Sequence, residues 1–164
     1  MKRVKVVSDP SDLVPLLRLF DSPLKRAVFR DVAVEWHSAA SIAVRHGPSA
    51  VEVLEGFEKA RIVETKWESV DGAATKFFRS YYASVQLACT VPVQEMGEII
   101  GVASMGRDEF AQAEGEIWQL AAGEGALVRM VSEKLNTPLV RLQCLVKRSR
   151  RLDLRGHLIV RRPD

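Results

Sequence analysis

The sequence contains only two cysteines and three histidines, and it has no long apolar run. Cys89 and Cys144 lie far apart, and no histidine has a Cys or His neighbour at zinc-ligand spacing. We therefore expect no metal site and no cofactor. Two isolated thiols without a signal-peptide pattern predict a cytoplasmic location. No apolar run approaches the ~20 residues of a membrane-spanning helix, so we expect no membrane association.

Sequence motifs of catalysis are missing as well. The chain has no G-x-S-x-G elbow, no phosphate-binding loop and no dinucleotide-binding fingerprint. Ser, His and Asp are present, but nothing in their spacing groups them into a catalytic set. We therefore expect a protein that is not an enzyme.

Charge is nearly balanced over the whole chain but unevenly distributed along it. The formal net charge is +3, from 24 Lys plus Arg against 21 Asp plus Glu. Residues 92–135 carry 3 basic and 8 acidic side chains, whereas residues 136–164 carry 8 basic and 2 acidic ones. The basic excess therefore lies in the last 29 residues, where contact with a polyanion is most favourable.

The stretch from Ser38 to Tyr82 organises the rest of the chain. It begins with a short apolar helix closed by Gly47, which favours a helix C-terminus. A helix over Ser49–Lys59 follows, and then two β-like runs over 61–68 and 75–82 with a turn at Asp71-Gly72. Helix, turn, helix and two-stranded ribbon is the order of a winged helix-turn-helix.

Two helices precede this stretch. The first starts near Asp12 and has an apolar face formed by Leu13, Leu16, Leu17 and Phe20. The second starts at Ser22, with Pro23 in the favoured first position. Together with the stretch from Ser38, these helices predict a winged helix-turn-helix domain over residues 1–91.

The pattern recurs in smaller form after residue 92. Helices are predicted over 92–104 and from Asp108 to about 122, and a break follows at Gly123 and Gly125. Helices over 126–135 and 138–152 and a short ribbon over 153–160 then predict a second helix-turn-helix at 126–162. The fold class expected is therefore mainly α with a small β-wing, with a helical C-terminal domain over 92–164.

The 138–152 helix is the strongest candidate for contact with nucleic acid. Leucines mark one side of it, and cations mark the other side and the helix end: Arg141, Lys147, Arg148, Arg150 and Arg151. An apolar face opposite several cations suits a helix that docks in the major groove. The alternative is a basic surface that binds acidic protein partners or the acidic 108–124 helix of its own chain.

The first helix-turn-helix gives a mixed signal. Lys66, Lys76 and Arg79 in the ribbon, with Ser49 at the start of its helix, are candidates for phosphate contact. The outward face of the helix nevertheless carries Val51–Val53 and further carboxylates, which are poor groove readers. The alternatives are a helix that packs against protein and a ribbon with ordinary solvated charges. RNA binding through the ribbon aromatics is a further alternative, and those aromatics are Trp67, Phe77, Phe78, Tyr81 and Tyr82.

Three segments carry a resemblance to a known family. GPSAVEVLEGFEKARIVETKW (residues 47–67) resembles the winged-helix core of ArsR-like regulators, and QEMGEIIGVASM (94–105) and RSRRLDLRGHLIV (148–160) are similar to parts of archaeal ArsR-like members. The resemblance implies a sequence-specific, dimeric regulator of transcription that binds double-stranded DNA. A winged-helix module for protein–protein interaction, without direct DNA reading, is the alternative.

The sequence departs from the family pattern at two places. Metal-sensing members carry paired cysteines in the first helix of the pair, but residues 39–45 contain none, so metal sensing is not implied here. Val51–Val53 replace the usual polar or basic residues, so the second helix-turn-helix becomes the stronger candidate for DNA contact, and the sequence leaves open which of the two units reads bases. The residues identify no effector, and the position expected for a small-molecule effector is near Gly123 and Gly125.

Overall fold

The computed structural model describes residues 3–163, and these residues fall into two compact units. The first unit comprises residues 3–6 and Leu19–Leu87, and the second comprises Val7–Arg18 and residues 88–163. The chain therefore passes between the units three times, and the short segment Val7–Arg18 belongs with residues that follow it by at least 70 positions.

Helices form most of the regular structure of the described residues, with antiparallel strands between them, as the sequence predicts. In chain order, the elements are β1 (Val4–Val7), a 3-10 turn (Pro10–Asp12), α1 (Leu13–Arg18), α2 (Pro23–Val32), β2 (His37–Ser38), α3 (Ala39–His46), α4 (Ser49–Lys59), β3 (Val63–Val70), β4 (Ala73–Ser80), β5 (Ser84–Leu87), α5 (Val93–Ser104), α6 (Arg107–Leu120), β6 (Ala126–Leu127), α7 (Val128–Lys134), α8 (Leu139–Arg148), β7 (Leu152–Arg155) and β8 (Leu158–Arg161). Strands β1 and β5 pair with each other.

In the first unit, helices α2, α3 and α4 pack against an antiparallel sheet of order β2-β4-β3. Its core contains Val28 and Val32 from α2, Leu54 and Phe57 from α4, and Phe78 from β4. Large apolar side chains from every layer are thus removed from water, which is the main favourable term in folding. The buried face of α4 places its opposite face outward.

The β3–β4 hairpin of the first unit turns at Asp71-Gly72. Both residues have positive φ, 49° for Asp71 and 80° for Gly72. Two consecutive left-handed residues match the twist of the flanking strands, and Asp-Gly is a favoured pair for such a turn. The register pairs Val70 with Ala73 next to the turn and Val63 with Ser80 at the far end, so the hairpin has eight residues in each strand.

In the second unit, α8 is the central helix. It contacts α1, the 3-10 turn, α5, α6, α7 and β7. Its residues Leu142, Cys144, Leu145 and Val146 are all buried, although they point in several directions around a helix of 3.6 residues per turn. A helix that is apolar on most of its circumference lies inside a core, and this one does.

The two units repeat one topology. In each, a two-residue strand leads into a helix, a second helix and a hairpin, and the sheet order is first strand, third strand, second strand. The order β6-β8-β7 in the second unit thus corresponds to β2-β4-β3 in the first. The second hairpin is half as long, with four residues in each strand.

Two predicted elements end earlier than the sequence pattern indicates. The helix predicted over 138–152 ends at Arg148, because Ser149 adopts an extended conformation and its Oγ accepts hydrogen bonds from the amides of Arg151 and Leu152. Arg150 and Arg151 consequently lie in a loop, and Leu152 starts β7. Likewise, Phe20 was expected on the face of the first helix, but α1 ends at Arg18 and Phe20 packs on Phe29 and Phe57 in the first unit.

Candidate nucleic-acid interface

Helices α3 and α4 of the first unit are joined by only two residues. Ser38 caps α3, since its Oγ accepts a hydrogen bond from the Ser41 amide. Gly47 ends α3 with a φ of 90°, a value that favours glycine. Pro48 then leads directly into α4, so the two helices must change direction within a tight connection.

The outward face of α4 is acidic. Ser49, Glu52 and Glu55 are exposed, and Val51 and Val53 are partly exposed. In the described part of the chain, no Arg, Lys, Asn or Gln stands on α4 before Lys59. A groove-reading helix needs such side chains for hydrogen bonds to base edges, but before Lys59 the polar side chains on this face of α4 are those of Ser49 and glutamates.

The cations of the first hairpin are held by glutamates. Lys76 Nζ lies 2.6 Å from Glu58 Oε1, Arg79 donates to Glu64 Oε1 at 2.8 Å, and Lys66 Nζ lies 2.6 Å from Glu68 Oε1. The hydrogen bond from Arg79, and then that from Arg3, lowers the pKa of Glu64, while its partial burial acts in the opposite direction. These cations therefore already have carboxylate partners.

Trp36 lies against the outer face of the same hairpin. Its ring centroid is 4.6 Å from Lys66 Nζ and 4.7 Å from Arg79 Cζ. Cations over an indole ring are held by its quadrupole as well as by their ion pairs. Phe77 also lies within reach of Lys66, and Phe78 is part of the core. The other three aromatics also have a cation near the ring: Arg3 lies over Tyr81 at 4.1 Å, Lys5 over Tyr82 at 5.3 Å and Lys76 near Trp67 at 6.0 Å. Trp67 is nevertheless 66% exposed.

Three cations of α8 are engaged inside the second unit. Arg141 donates to Glu98 on α5 at 3.2 Å, and it lies 3.9 Å from Glu109 on α6. Lys147 Nζ lies 2.8 Å from Asp12 Oδ1. Arg148 donates to the carbonyl of Met105 at 2.9 Å and stacks over the ring of Phe110 at 4.3 Å. Their charges are directed at neighbouring helices of the same unit.

The loop after α8 places its two arginines differently. Arg151 lies 3.6 Å from Glu114 and stacks over Trp118 at 4.2 Å, and Arg161 stacks over the same ring at 4.4 Å. Trp118 is thus held by two guanidinium groups. Arg150 is exposed and has no ion-pair partner among residues 3–163.

A protein-family model matches the part of the chain that contains both helix–helix–hairpin sets and their cations. The family model for the ArsR transcriptional regulator matches residues 7–162. This chain belongs to the ArsR family of transcriptional regulators. None of the curated proteins matches it. The family match includes residues of both units, so both helix–helix–hairpin sets lie within the matched region.

Sites for other chemistry are sparse in this ArsR regulator. Nowhere in residues 3–163 do three His, Cys, Asp or Glu side chains gather as a metal site requires. Burial raises the pKa of the Cys144 thiol to about 11, so this thiol stays protonated at neutral pH and is a poor nucleophile. No helix within the described range is both long and apolar enough to cross a bilayer.

The glycines after α6 have a local structural role in this regulator. Gly123 and Gly125 both have positive φ, 70° and 102°, and α6 ends at Leu120, so the predicted break is confirmed. A Cβ built on Gly125 would lie 2.7 Å from the Ile159 carbonyl oxygen. Gly125 therefore allows β6 to approach β8 closely.

The sequence of α8 contains one indication of its burial that the prediction of a groove-docking helix did not use. Besides the leucines, the helix contains Val140, Cys144 and Val146, so apolar residues occur on more than one side of it. A groove-docking helix would leave one broad side polar. The burial of α8 was therefore predictable from its composition. The ion-pair partners of Arg141, Lys147 and Arg151 were not.

Proposed function

We propose that this ArsR regulator binds duplex DNA sequence-specifically as a homodimer and that both units are winged helix-turn-helix units. The observation that carries the proposal is the repeated helix–helix–hairpin topology in a chain of the ArsR family. A helix pair with an adjoining hairpin is a common way to bring side chains to a groove and to the flanking phosphates.

In the first unit, the proposed DNA contacts are Lys66, Lys76 and Arg79 on the hairpin and Ser49 at the start of α4. The hairpin cations are partly exposed, with side-chain exposures between 28% and 42%. Ion pairs at such positions contribute only about 0.2–1 kcal/mol. A DNA phosphate can therefore replace the glutamate partner at small cost, and Ser49 can donate its hydroxyl to a phosphate oxygen.

In the second unit, Arg150 is the proposed DNA contact with no ion pair to exchange among residues 3–163, and Arg141, Lys147, Arg148 and Arg151 have a packing role before DNA binds. Each of these four has an acidic, carbonyl or aromatic partner within its own unit. Arg141, Lys147 and Arg151 are 33%, 32% and 52% exposed, so a phosphate can replace their carboxylate partners as in the first unit. The alternative of a basic surface that binds the acidic helix of its own chain is supported for Arg141 and Arg151, because Glu109 and Glu114 lie on α6.

The proposed dimer uses the outward face of α5. Val93, Met96 and Ile100 lie on one side at spacings of three and four residues, with exposures of 89%, 38% and 54%. The opposite side of α5 is buried through Ile99 and Val102. A helix with an apolar stripe left over after its core side is filled is suited to pairing with the same helix of a second copy. A two-fold dimer then presents two equal sets of DNA contacts to paired half-sites.

The test is selection of genomic duplex fragments on the full chain, followed by a salt titration of the best fragment and by measurement of mass in solution. We expect retention at ~100 mM salt, a negative slope of log affinity against log salt and the mass of a dimer. Absence of any retained fragment, together with a stoichiometric protein partner that co-purifies, would instead identify an interaction module without DNA reading.

A further inference from the structure

We infer that the tip of the second hairpin, with Arg155 in β7 and Arg129 in α7, is a phosphate-binding surface for duplex DNA. The inference rests on the proposed function and adds a site to it. Neither arginine lies in the 138–152 segment or in the first hairpin. The surface is defined here as Arg129, Arg155, Leu127 and Leu158, and it is called the β7–β8 surface below.

The two arginines are brought together by the sheet of the second unit. Leu127 in β6 pairs with Leu158 in β8, and Leu158 pairs with Arg155 in β7. Residues directly opposite one another share a face of a sheet, and neighbouring strands are about 4.8 Å apart. Arg155 therefore lies about 10 Å across the sheet from Leu127, and Arg129 follows two residues after Leu127.

Hydrogen bonding connects the start of α7 to the hairpin turn. The Val128 amide donates to the His157 carbonyl at 2.9 Å, so the first turn of α7 stays beside the tip of the hairpin. Gly156 has a φ of 61°, which allows the tight turn from β7 to β8. Arg155 and His157 on either side of this glycine are exposed.

Within the described part of the chain, the cations of the β7–β8 surface are not engaged in ion pairs, whereas Arg141, Lys147 and Arg151 of the same unit are. Arg129 and Arg155 are exposed and have no carboxylate partner among residues 3–163. Asp153, the one acidic residue of the hairpin, pairs with Arg162 at 3.5 Å. Cations without an internal partner attract an external polyanion at full strength, and no existing ion pair has to be broken when they bind it.

A comparison of the two hairpins supports the same assignment. The tip of the first hairpin is Val70-Asp71-Gly72-Ala73, which carries one negative charge, whereas the tip of the second is Arg155-Gly156-His157-Leu158. The cations of the first hairpin are paired with Glu58, Glu64 and Glu68. The two units thus share a topology but expose opposite charge at the equivalent turn.

The apolar part of the surface is compatible with nucleic acid. Leu127 is 53% exposed and Leu158 is 37% exposed, and each stands next to one of the arginines. Guanidinium groups bind phosphate oxygens in a bidentate manner, while aliphatic side chains beside them can contact the sugar edge or a base step in the minor groove. An acidic protein is the other partner that such charges attract, and it is an outcome of the test below.

The experiment compares three full-length proteins on the best genomic fragment across a salt titration. They are the wild type, the double variant Arg129→Glu with Arg155→Glu, and a control double variant, Arg107→Glu with Lys134→Glu. Arg107 and Lys134 are also exposed in the second unit but lie off the β7–β8 surface, so both doubles change net charge equally. A fourth protein, which carries Arg129→Gln with Arg155→Gln, is measured beside these three and removes charge without reversing it.

We expect the surface variant to bind at least about tenfold more weakly than the control at 200 mM salt and to lose about 1.8 from the slope, because each phosphate contact contributes about 0.9. The glutamine pair should give the same loss of slope. Equal slopes for surface variant and control, with wild-type binding intact, would overturn this inference and leave the proposed function standing. Failure of the wild type to bind any duplex would overturn both this inference and the proposed function. Selective capture of an acidic protein by the β7–β8 surface would overturn the inference that this surface binds DNA.

Discussion

The hydroxyl of Ser149 donates a hydrogen bond to the buried carboxylate of Glu114. Ser149 ends α8, and its oxygen also accepts from the amides of Arg151 and Leu152. Glu114 therefore holds, through one hydroxyl, the point at which the chain leaves the central helix and enters the second hairpin.

The Glu114→Ala variant is expected to lose about 1–3 kcal/mol of unfolding free energy, because a buried hydroxyl loses its acceptor and Arg151 loses its partner. Urea denaturation measures the loss. The Glu114→Gln variant keeps an acceptor oxygen and should lose less. Glu116→Ala, at an exposed position of α6, is the matched control, and equal losses for Glu114→Ala and Glu116→Ala would contradict the role of the Ser149 contact.

Gly125 and Gly123 provide a second matched pair. Both have positive φ, so either Gly→Ala change costs about 1–2 kcal/mol in the left-handed region. Only at Gly125 would the new Cβ also meet the Ile159 carbonyl oxygen at 2.7 Å and a Val160 methyl group at 2.9 Å. We expect Gly125→Ala to lower the thermal midpoint clearly more than Gly123→Ala. Similar midpoints would show that β6 and β8 are not so closely apposed.

The α5 stripe gives a test of the proposed dimer. The Ile100→Glu variant places a charge at the C-terminal end of the stripe and should convert the dimer to a monomer, because an unpaired buried charge is costly. Gln94→Glu adds the same charge at an exposed position of α5 beside the stripe, and it should leave the mass unchanged. Sedimentation velocity measures the mass of both variants in solution. A dimer that persists in the Ile100→Glu variant would exclude the stripe as the interface.

Asp31 gives a prediction for the dependence of stability on pH. Its Oδ2 lies 2.8 Å from His46 Nε2 and 2.9 Å from Arg45. Partial burial acts to raise the pKa of Asp31, but the hydrogen bonds from His46 and Arg45 outweigh it and lower the pKa below its ordinary value of 3.8. A lowered folded-state pKa stabilises the protein above the unfolded-state pKa, and this contribution disappears as the pH falls through the folded-state value.

The Asp31→Asn variant should therefore be less stable than the wild type at pH 7 by about 1 kcal/mol, and the difference should shrink below about pH 4. Urea denaturation between pH 3 and pH 7 measures this difference. The exposed Glu35→Gln change in the segment after α2 serves as the control. A wild-type advantage that stays constant down to pH 3 would contradict an ionised Asp31 as its cause.

The local sequence pattern was sufficient to predict the first helix pair, α3 and α4. Ala50, Leu54 and Phe57 recur at helical spacing, and all three are buried, because a stripe of this kind has only one direction in which to leave water. Gly47 and the Asp71-Gly72 turn were likewise predictable, since their positive φ values follow from local sterics. These features need no knowledge of distant residues.

The second unit required information that a single sequence does not contain. The cations of α8 look available on a helical wheel, but Arg141 meets Glu98 and Lys147 meets Asp12 only after α5 and the first residues of the chain pack on α8. The two-residue strands β2 and β6 leave no alternation to detect. The resemblance indicated the ArsR family, and the family match confirms it, but neither gave the position of the unpaired arginines.

The passage of the chain between the units affects synthesis on the ribosome. Val14 is fully buried with Ile99, Ile117 and Leu142, yet it emerges before any residue of the first unit's core. Because domains generally fold during synthesis in N-terminal order, the first unit can complete its core while Val14 still lacks every one of these neighbours. The nascent chain therefore carries an apolar segment ahead of the first unit's core that has to stay uncovered, or be held by a chaperone, until α8 has been translated.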